Sequence, residues 1–219
     1  ASRHGNFPVK KGDKIAGTRI IPLVIEKEKM EAARQATGEE PIFQILPYRY
    51  KTAGVVTTGS EVLKNRISDT FTPVIEEKLA EYQVQMTEHV LSGDDHVVIT
   101  KAIEEMIEKG VEMVICTGGM SVDPDDVTPS AIRDCGGEAV TYGSPVLPGA
   151  MFMLSYVKGI PVVGLPGCVM YSKRTVFDLA VPRLLAGEKL TREDFIKMAH
   201  GGFCMQCDPC TYPDCGFGR

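Results

Sequence analysis

Several common signatures are missing from this 219-residue chain. No stretch approaches the roughly 18 to 20 unbroken apolar residues that a membrane helix needs, and the most apolar segment, Val146 to Val157, is interrupted by Pro148, Gly149 and Ser155. No long basic block appears, and a formal charge of -5 with a pI near 5.5 argues against nucleic acid or an anionic membrane as the main partner. A Walker-type phosphate loop is absent, the four histidines form no HExxH pair, and Ser60 does not lie in a nucleophile elbow. P-loop nucleotide hydrolysis, zinc-protease chemistry and serine-hydrolase chemistry are therefore unsupported. Internal repeats, low-complexity tracts and a signal-peptide pattern are not visible either.

What is present describes a globular chain. A hydrophobic content of 43% is enough for one good-sized core plus a small appendage. Cys116, Cys135 and Cys168 stand among apolar or Gly neighbours, as reduced, buried cysteines do, which fits a cytoplasmic location. The first residue is Ala, and the opening Pro8 to Gly17 resembles the end of a small β-unit, so a fragment of a longer chain is expected. Arg19 to Ile25 suggests a short strand, and Glu26 to Ala36 a linker helix closed by the breakers of Thr37 to Pro41. Three parts are expected: 1–50, the end of a small β-unit with its linker helix; 51–190, the main domain; and 191–219, a Cys-rich tail.

From Lys51 the pattern alternates apolar run, Gly or Asp turn, and amphipathic helix, as βαβ units of a parallel sheet do. Strands are expected over Ala53 to Thr57, Gln83 to Val90, Val111 to Cys116, Glu138 to Tyr142 and Pro161 to Leu165. Helices are expected around Val74 to Tyr82, Ile99 to Ile107, Ala131 to Cys135 and from about Cys168 to Ala186. The fold class is α/β, a three-layer αβα sandwich with a mostly parallel sheet. Met151, Phe152, Met153, Leu154 and Tyr156 read as core, with a ligand-lining role as the competing reading.

Turns leaving strand ends carry the chemistry. Thr117-Gly118-Gly119-Met120-Ser121 follows an apolar strand and leads to Asp125-Asp126-Val127-Thr128-Pro129 at a helix start. Glycine permits positive φ and close approach of backbone N–H groups to an anion, while a carboxylate there either caps the helix or holds a cation. Thr58-Gly59-Ser60-Glu61 and Leu165-Pro166-Gly167 are further turns of this kind, and Asp94-Asp95 adds carboxylates on the same side. In a doubly wound sheet the carboxyl ends of the strands share one edge, so these turns can converge on one anionic ligand with a metal. The alternative is that each is an ordinary turn former or cap. Lys64, Lys173 and Arg174 read as solvated surface charge, or as phosphate contacts.

These motifs resemble the molybdopterin-binding domain of the MoaB/Mog family of molybdenum cofactor biosynthesis, over about Lys51 to Leu185. The resemblance implies binding of molybdopterin or its adenylylated form, with Mg²⁺-dependent adenylyl transfer from ATP or molybdate insertion. By that likeness Asp126 and Asp94 orient magnesium and the reacting phosphates, Gly118 and Gly119 cradle phosphate, and Ser121 and Thr128 add hydrogen bonds. It further implies a homo-oligomer that works with other molybdenum cofactor proteins. The chain departs from the family pattern after Leu165-Pro166-Gly167, where Asn or Gln and then Pro usually follow and Cys168-Val169 stand here. A non-catalytic cofactor-handling module and a related nucleotide-pyrophosphate hydrolase are the alternatives.

The tail carries Cys204, Cys207, Cys210 and Cys215 in a C-x2-C-x2-C-x4-C spacing. Such spacing can supply ligands for zinc or an iron–sulfur cluster, and it is also compatible with disulfides, redox-active thiols or an unligated tail.

Overall fold

Strand β1 (Thr52–Thr58) is buried on both faces from Ala53 onward, as a central strand of a parallel sheet must be. In this computed structural model, which describes residues 1–19, 21–60, 69–121, 123 and 126–218, β1 sits inside a six-stranded sheet of order β2-β1-β3-β6-β5-β4. The other strands are β2 (Gln85–Ser92), β3 (Val114–Thr117), β4 (Glu138–Tyr142), β5 (Met153–Val157) and β6 (Ile160–Leu165). β2, β1, β3 and β6 run parallel, while β5 and β4 are antiparallel additions to the β6 side.

Side chains alternate across each strand, so every strand feeds two cores. Ala53, Val55, Ile115, Leu154, Val163 and Leu165 face one of them, with Ile75 and Leu79 of α2 (Phe71–Ala80), Phe177 and Leu184 of α5 (Val176–Leu185) and Phe195 of α6 (Arg192–Lys197). Val56, Val114, Cys116, Met153 and Val162 face the other, with Ile99, Ile103 and Met106 of α3 (His96–Glu108) and Ala131 and Ile132 of α4 (Thr128–Asp134). The layers are helix, sheet, helix, as expected.

Two glycines set how closely the second helical layer and its loop approach the sheet. A Cβ on Gly54 would lie 2.6 Å from the Met106 sulfur, and one on Gly164 would lie 2.5 Å from Met120 Cε. The missing side chains leave space that the two methionines fill.

The structure corrects several expectations. β5 was expected only as core or ligand-lining residues, whereas Met153 to Val157 is a strand in antiparallel register with β6. The last helix does not begin at Cys168: Gly167–Met170 is a 3-10 turn, and α5 starts only after Thr175, whose side chain and that of Asp178 form a capping box. Arg174 is not a solvated surface charge, because its guanidinium donates to Glu81 at 2.8 Å and to Asp178 at 2.9 Å and lies over the Tyr212 ring. Asp178 also accepts from the buried Lys78 ammonium at 2.8 Å.

Residues 1–47 form a separate unit from 48–219. Within the first unit, α1 (Lys27–Ala36) has no buried residue. None of the described residues between 19 and 25 is in a strand, and Leu23 is fully exposed, so the strand expected there is absent. The tail, by contrast, belongs to the second unit. Phe203 bridges to Leu147, Tyr212 donates its hydroxyl to the Asp178 carbonyl at 2.8 Å, and Phe217 is buried against the first core. No helix among the described residues is long and apolar enough to cross a membrane.

Candidate functional site

Register brings the carboxyl ends of the parallel strands level. Thr58 stands opposite Ser92, Thr57 opposite Thr117, and Thr117 opposite Leu165, so the turns after β1, β2, β3 and β6 leave one edge of the sheet.

The turn after β3 is locked to β1. Gly118 has φ +83°, and a Cβ there would lie 2.2 Å from the Thr58 carbonyl oxygen, so this position requires glycine. The Thr128 hydroxyl, at the start of α4, donates to the Gly118 carbonyl at 2.9 Å and lies 3.3 Å from the Thr58 hydroxyl. A Cβ on Gly119 would meet that Thr128 hydroxyl at 2.8 Å. The backbone N–H of Ser121 donates to the Asp126 carboxylate, which closes the loop on itself. On the far side the Tyr142 hydroxyl, at the end of β4, donates to the Ser121 carbonyl at 3.3 Å. Burial, followed by the negative charge of Asp126, pushes the Tyr142 phenol above its ordinary range, so it remains a donor at neutral pH.

The turns after β1 and β2 are joined in the same way. Asp94 accepts from the Ser60 backbone N–H at 3.0 Å and from the Ser60 hydroxyl at 2.8 Å, while Gly59 N–H donates to the Ser92 carbonyl at 3.0 Å. The two neighbouring aspartates divide their work. Asp95 caps α3, accepting from the backbone N–H groups of Val97 and Val98, and Asp94 ties the two turns together.

Beneath this rim the Thr117 hydroxyl is buried without a hydrogen-bond partner among the described residues. A buried hydroxyl left unpaired costs about 1 to 3 kcal/mol, and a bound polar group would supply the missing partner. Positive-φ glycines with such a hydroxyl beneath them suit a phosphate. For a divalent cation the donor set is smaller, since no group of three or more His, Cys, Asp or Glu among the described residues is placed to hold one. Asp94 and Asp126 nevertheless suit a magnesium that takes one or two carboxylates and completes its shell with water and substrate phosphate.

Other expected site residues are placed differently. The Met120 side chain fills the space over Gly164 in the second core, which leaves only its backbone to the rim. Pro166 and Gly167 lead into the 3-10 turn, where Val169 is buried and Cys168 half-buried, its thiol pushed up by burial. No three of the four tail cysteines are grouped so as to hold a metal ion; Cys204 and Cys215 pack against the first core, while Cys207 and Cys210 are exposed. Glu61 and Asp125 lie outside the described residues.

Sequence reasoning missed two contributors. Tyr142 carries no local motif and reaches Ser121 only because β4 is appended through β5. The second is a group formed by Asp69, Thr72, His89 and Thr57 on the first-core face just below the rim. Its available signal was a histidine in the middle of β2 and an Asp three residues before a Thr at a helix start. A groove of about 440 Å³ lies elsewhere, between the exposed flank of β4 and α6, lined by Tyr142, Ser144, Arg192, Phe195 and Ile196 among others. Neither Ser60, Asp94 nor the glycine turn lines it, so the candidate site stands on converging groups and not on concavity.

Comparison with known proteins agrees with this fold. The chain is 36% identical over 89 residues to a CinA-like protein of Mycobacterium tuberculosis (strain ATCC 25618 / H37Rv), a match covering 40% of the chain and 21% of that protein. The chain thus matches only about a fifth of the length of the curated relatives. Among solved structures it resembles CinA of unknown function from Thermoplasma acidophilum, with a TM-score of 0.52 and 20% identity over 62% of this chain and 98% of that one. It is also similar to the tungsten cofactor synthesizing protein MoaB from Pyrococcus furiosus, with a TM-score of 0.52 and 18% identity over 65% and 99% of the two chains. At those identities the likeness is one of fold. The family described as a probable molybdopterin binding domain matches residues 54–186, which take in β1 from Gly54 onward, the other five strands and every turn of the rim, and the chain belongs to that family.

Proposed function

We propose that the rim binds molybdopterin, or its adenylylated form, by the phosphate end, and that the chain serves molybdenum cofactor biosynthesis. The observation that carries this reading is the joining of Thr58, Gly118 and Thr128 on one side and of Ser60 and Asp94 on the other, at a single sheet edge. The glycine turn receives phosphate oxygens on backbone N–H groups, and Thr128 and Tyr142 hold the turn in place. Asp94 and Asp126 would hold Mg²⁺, which supplies charge neutralisation for the phosphates. The chain's own contribution is positioning: groups fixed before the ligand arrives need no reorganisation when charge develops.

Incubating the chain with molybdopterin and following pterin fluorescence tests binding, and adding ATP with Mg²⁺ tests adenylyl transfer. Retained affinity with turnover abolished in Asp126→Ala supports the enzyme. No pterin binding at saturating concentration refutes the reading.

A binding-only module is the second reading, and the 3-10 turn favours it. Where relatives usually present an amide side chain, this chain has half-buried Cys168 and buried Val169, so the turn offers the ligand mainly backbone. Pterin affinity without turnover would select this reading. Release of AMP from dinucleotides without molybdopterin would instead select a pyrophosphate hydrolase.

A further inference from the structure

The sheet ends in β2 on one side and β4 on the other. An edge strand presents unpaired backbone groups, and proteins guard such edges with charge, proline or a bulge. β2 carries Glu88, paired with the Lys109 ammonium. β4 has no charged residue from Ala139 to Tyr142, and its guard is the register shift between Ala139 and Thr141. Beyond that shift the pairing with β5 is regular, Thr141 opposite Leu154 and Tyr142 opposite Met153, and the Gly143 N–H donates to the Phe152 carbonyl at 2.9 Å. Inward and outward residues alternate along an antiparallel edge strand. With Gly143 turned toward β5, the Tyr142 N–H and C=O are turned away from it, and neither has a hydrogen-bond partner among the described residues.

The groove of about 440 Å³ runs between this flank and α6. Arg192, Phe195 and Ile196 line it from one face of the helix, as residues three and four positions apart do. Phe195 is buried, Ile196 is half exposed and Val140 is partly buried, so the walls are largely apolar. Arg192 is the one charged residue among those lining the groove, and it is exposed with no ion pair or hydrogen bond among the described residues. A lone cation in an otherwise uncharged groove is complementary to a carboxylate. Free main-chain groups beside apolar walls suit an extended chain, which pairs through its backbone and inserts alternate side chains.

We propose that the groove between β4 and α6 is a docking site for an extended acidic segment of a partner protein. The segment pairs with the outward backbone of Tyr142, seats an apolar side chain between Val140 and Ile196 and places a carboxylate on Arg192. The bulge in β4 confines the pairing to the carboxyl end of the strand, so the added strand is short. That end adjoins the rim, because the Tyr142 hydroxyl holds the Ser121 carbonyl. The proposal is independent of what the rim binds.

The test uses the full chain and a dye-labelled peptide that alternates threonine and valine around one glutamate. Fluorescence anisotropy should show saturable binding with a Kd below about 1 mM. Nitrogen-15 NMR should show the Tyr142 amide shifting, and gaining protection from hydrogen exchange, as the peptide saturates. Arg192→Gln, or glutamine in place of the peptide's glutamate, should each weaken binding about five-fold, the upper measure of an exposed charge pair. Combining them should add little, and salt near about 1 M should erase the difference. The same peptide N-methylated along its whole backbone should not bind. Thermal unfolding of Arg192→Gln should match the unaltered chain, since Arg192 holds no partner. No saturation by about 1 mM, equal binding of the N-methylated peptide, or binding that leaves the Tyr142 amide unmoved would each overturn the proposal. A Tyr142 amide already protected in a chain that sediments as a dimer would overturn it too, and would give the groove to a second copy.

Discussion

Replacing Gly118 by alanine tests the rim through the covalent geometry of the chain. Two costs add. An L-residue held at φ +83° sits in the left-handed region, which costs roughly 1 to 2 kcal/mol. The new Cβ would also stand 2.2 Å from the Thr58 carbonyl oxygen, against the 3.4 Å at which ordinary contact begins, so something must move by 3.4 − 2.2 = 1.2 Å. The obstacle is backbone at the end of a central strand, and overpacking of this kind costs about 1 to 3 kcal/mol. Together Gly118→Ala should destabilise by roughly 2 to 5 kcal/mol, a fall in Tm of about 4 to 20 °C for a chain of this size. Gly136→Ala is the internal control, because its φ is +75° and a Cβ there meets nothing within 4 Å. It should cost only the conformational part, about 1 to 2 kcal/mol. Urea unfolding of the three proteins with unchanged m-values gives the difference, and a molybdopterin titration shows whether the phosphate turn survives. If Gly118→Ala and Gly136→Ala prove equally stable, or Gly118→Ala binds undiminished, the packing of the turn against β1 is not what shapes the site.

Other expectations follow from the buried ions and thiols. Asp178→Ala leaves the Lys78 ammonium, at 8% side-chain exposure, and Arg174 without their shared carboxylate, and denaturant unfolding should register a loss of about 3 to 5 kcal/mol; a loss under 1 kcal/mol would contradict the pairing. For Asp194, burial raises the carboxyl pKa, but bonds from Arg183 and Thr191 outweigh it and hold the group at about 2, below its ordinary 3.8. A depressed folded pKa contributes stability that is complete above the ordinary value and lost as pH falls through the folded one. The Tm of the unaltered chain should thus drop between pH 4 and 2 more steeply than that of Asp194→Asn, and parallel profiles would refute the assignment. In a thiol assay on the folded chain, exposed Cys207 and Cys210 should react first. Cys116, fully buried with its thiol pushed up by burial, and Cys135, pushed up to about 11 by burial and then by Glu104 and Asp134, should react only after denaturation.

Much of the site could be read in advance where local chemistry and topology agree. β1 and β3 are short apolar runs ending in glycine turns, and parallel connection alone places their carboxyl ends together. The 34-position separation of Ser60 and Asp94 is thereby bridged by rule. Legibility fails where tertiary packing decides. Asp94 and Asp95 are identical in sequence terms, and only the chain's entry into α3 determines which becomes the cap. Met153 to Val157 shows no alternation, because both of its faces are buried, so its strand character was hidden. Cysteine spacing dominated the reading of the tail, while the groups that seat it are Tyr212 on Asp178 and Arg174, and Phe217 in the core, none of which stands out locally. His89 escaped because its partners come from β1 and from the start of α2.

The close fit of Met106 over Gly54 and of Met120 over Gly164 bears on how this protein would meet oxidants. Conversion of either thioether to a sulfoxide adds a polar oxygen where the sulfur already occupies the room of an absent side chain, at 1% and 3% exposure respectively. In the native state both sulfurs are shielded, so a peroxide footprint at these two positions would record excursions in which α3 or the β3 turn has lifted from the sheet. Once marked, such a molecule could not close again, and oxidative damage would thereby become a lasting trace of a transient opening.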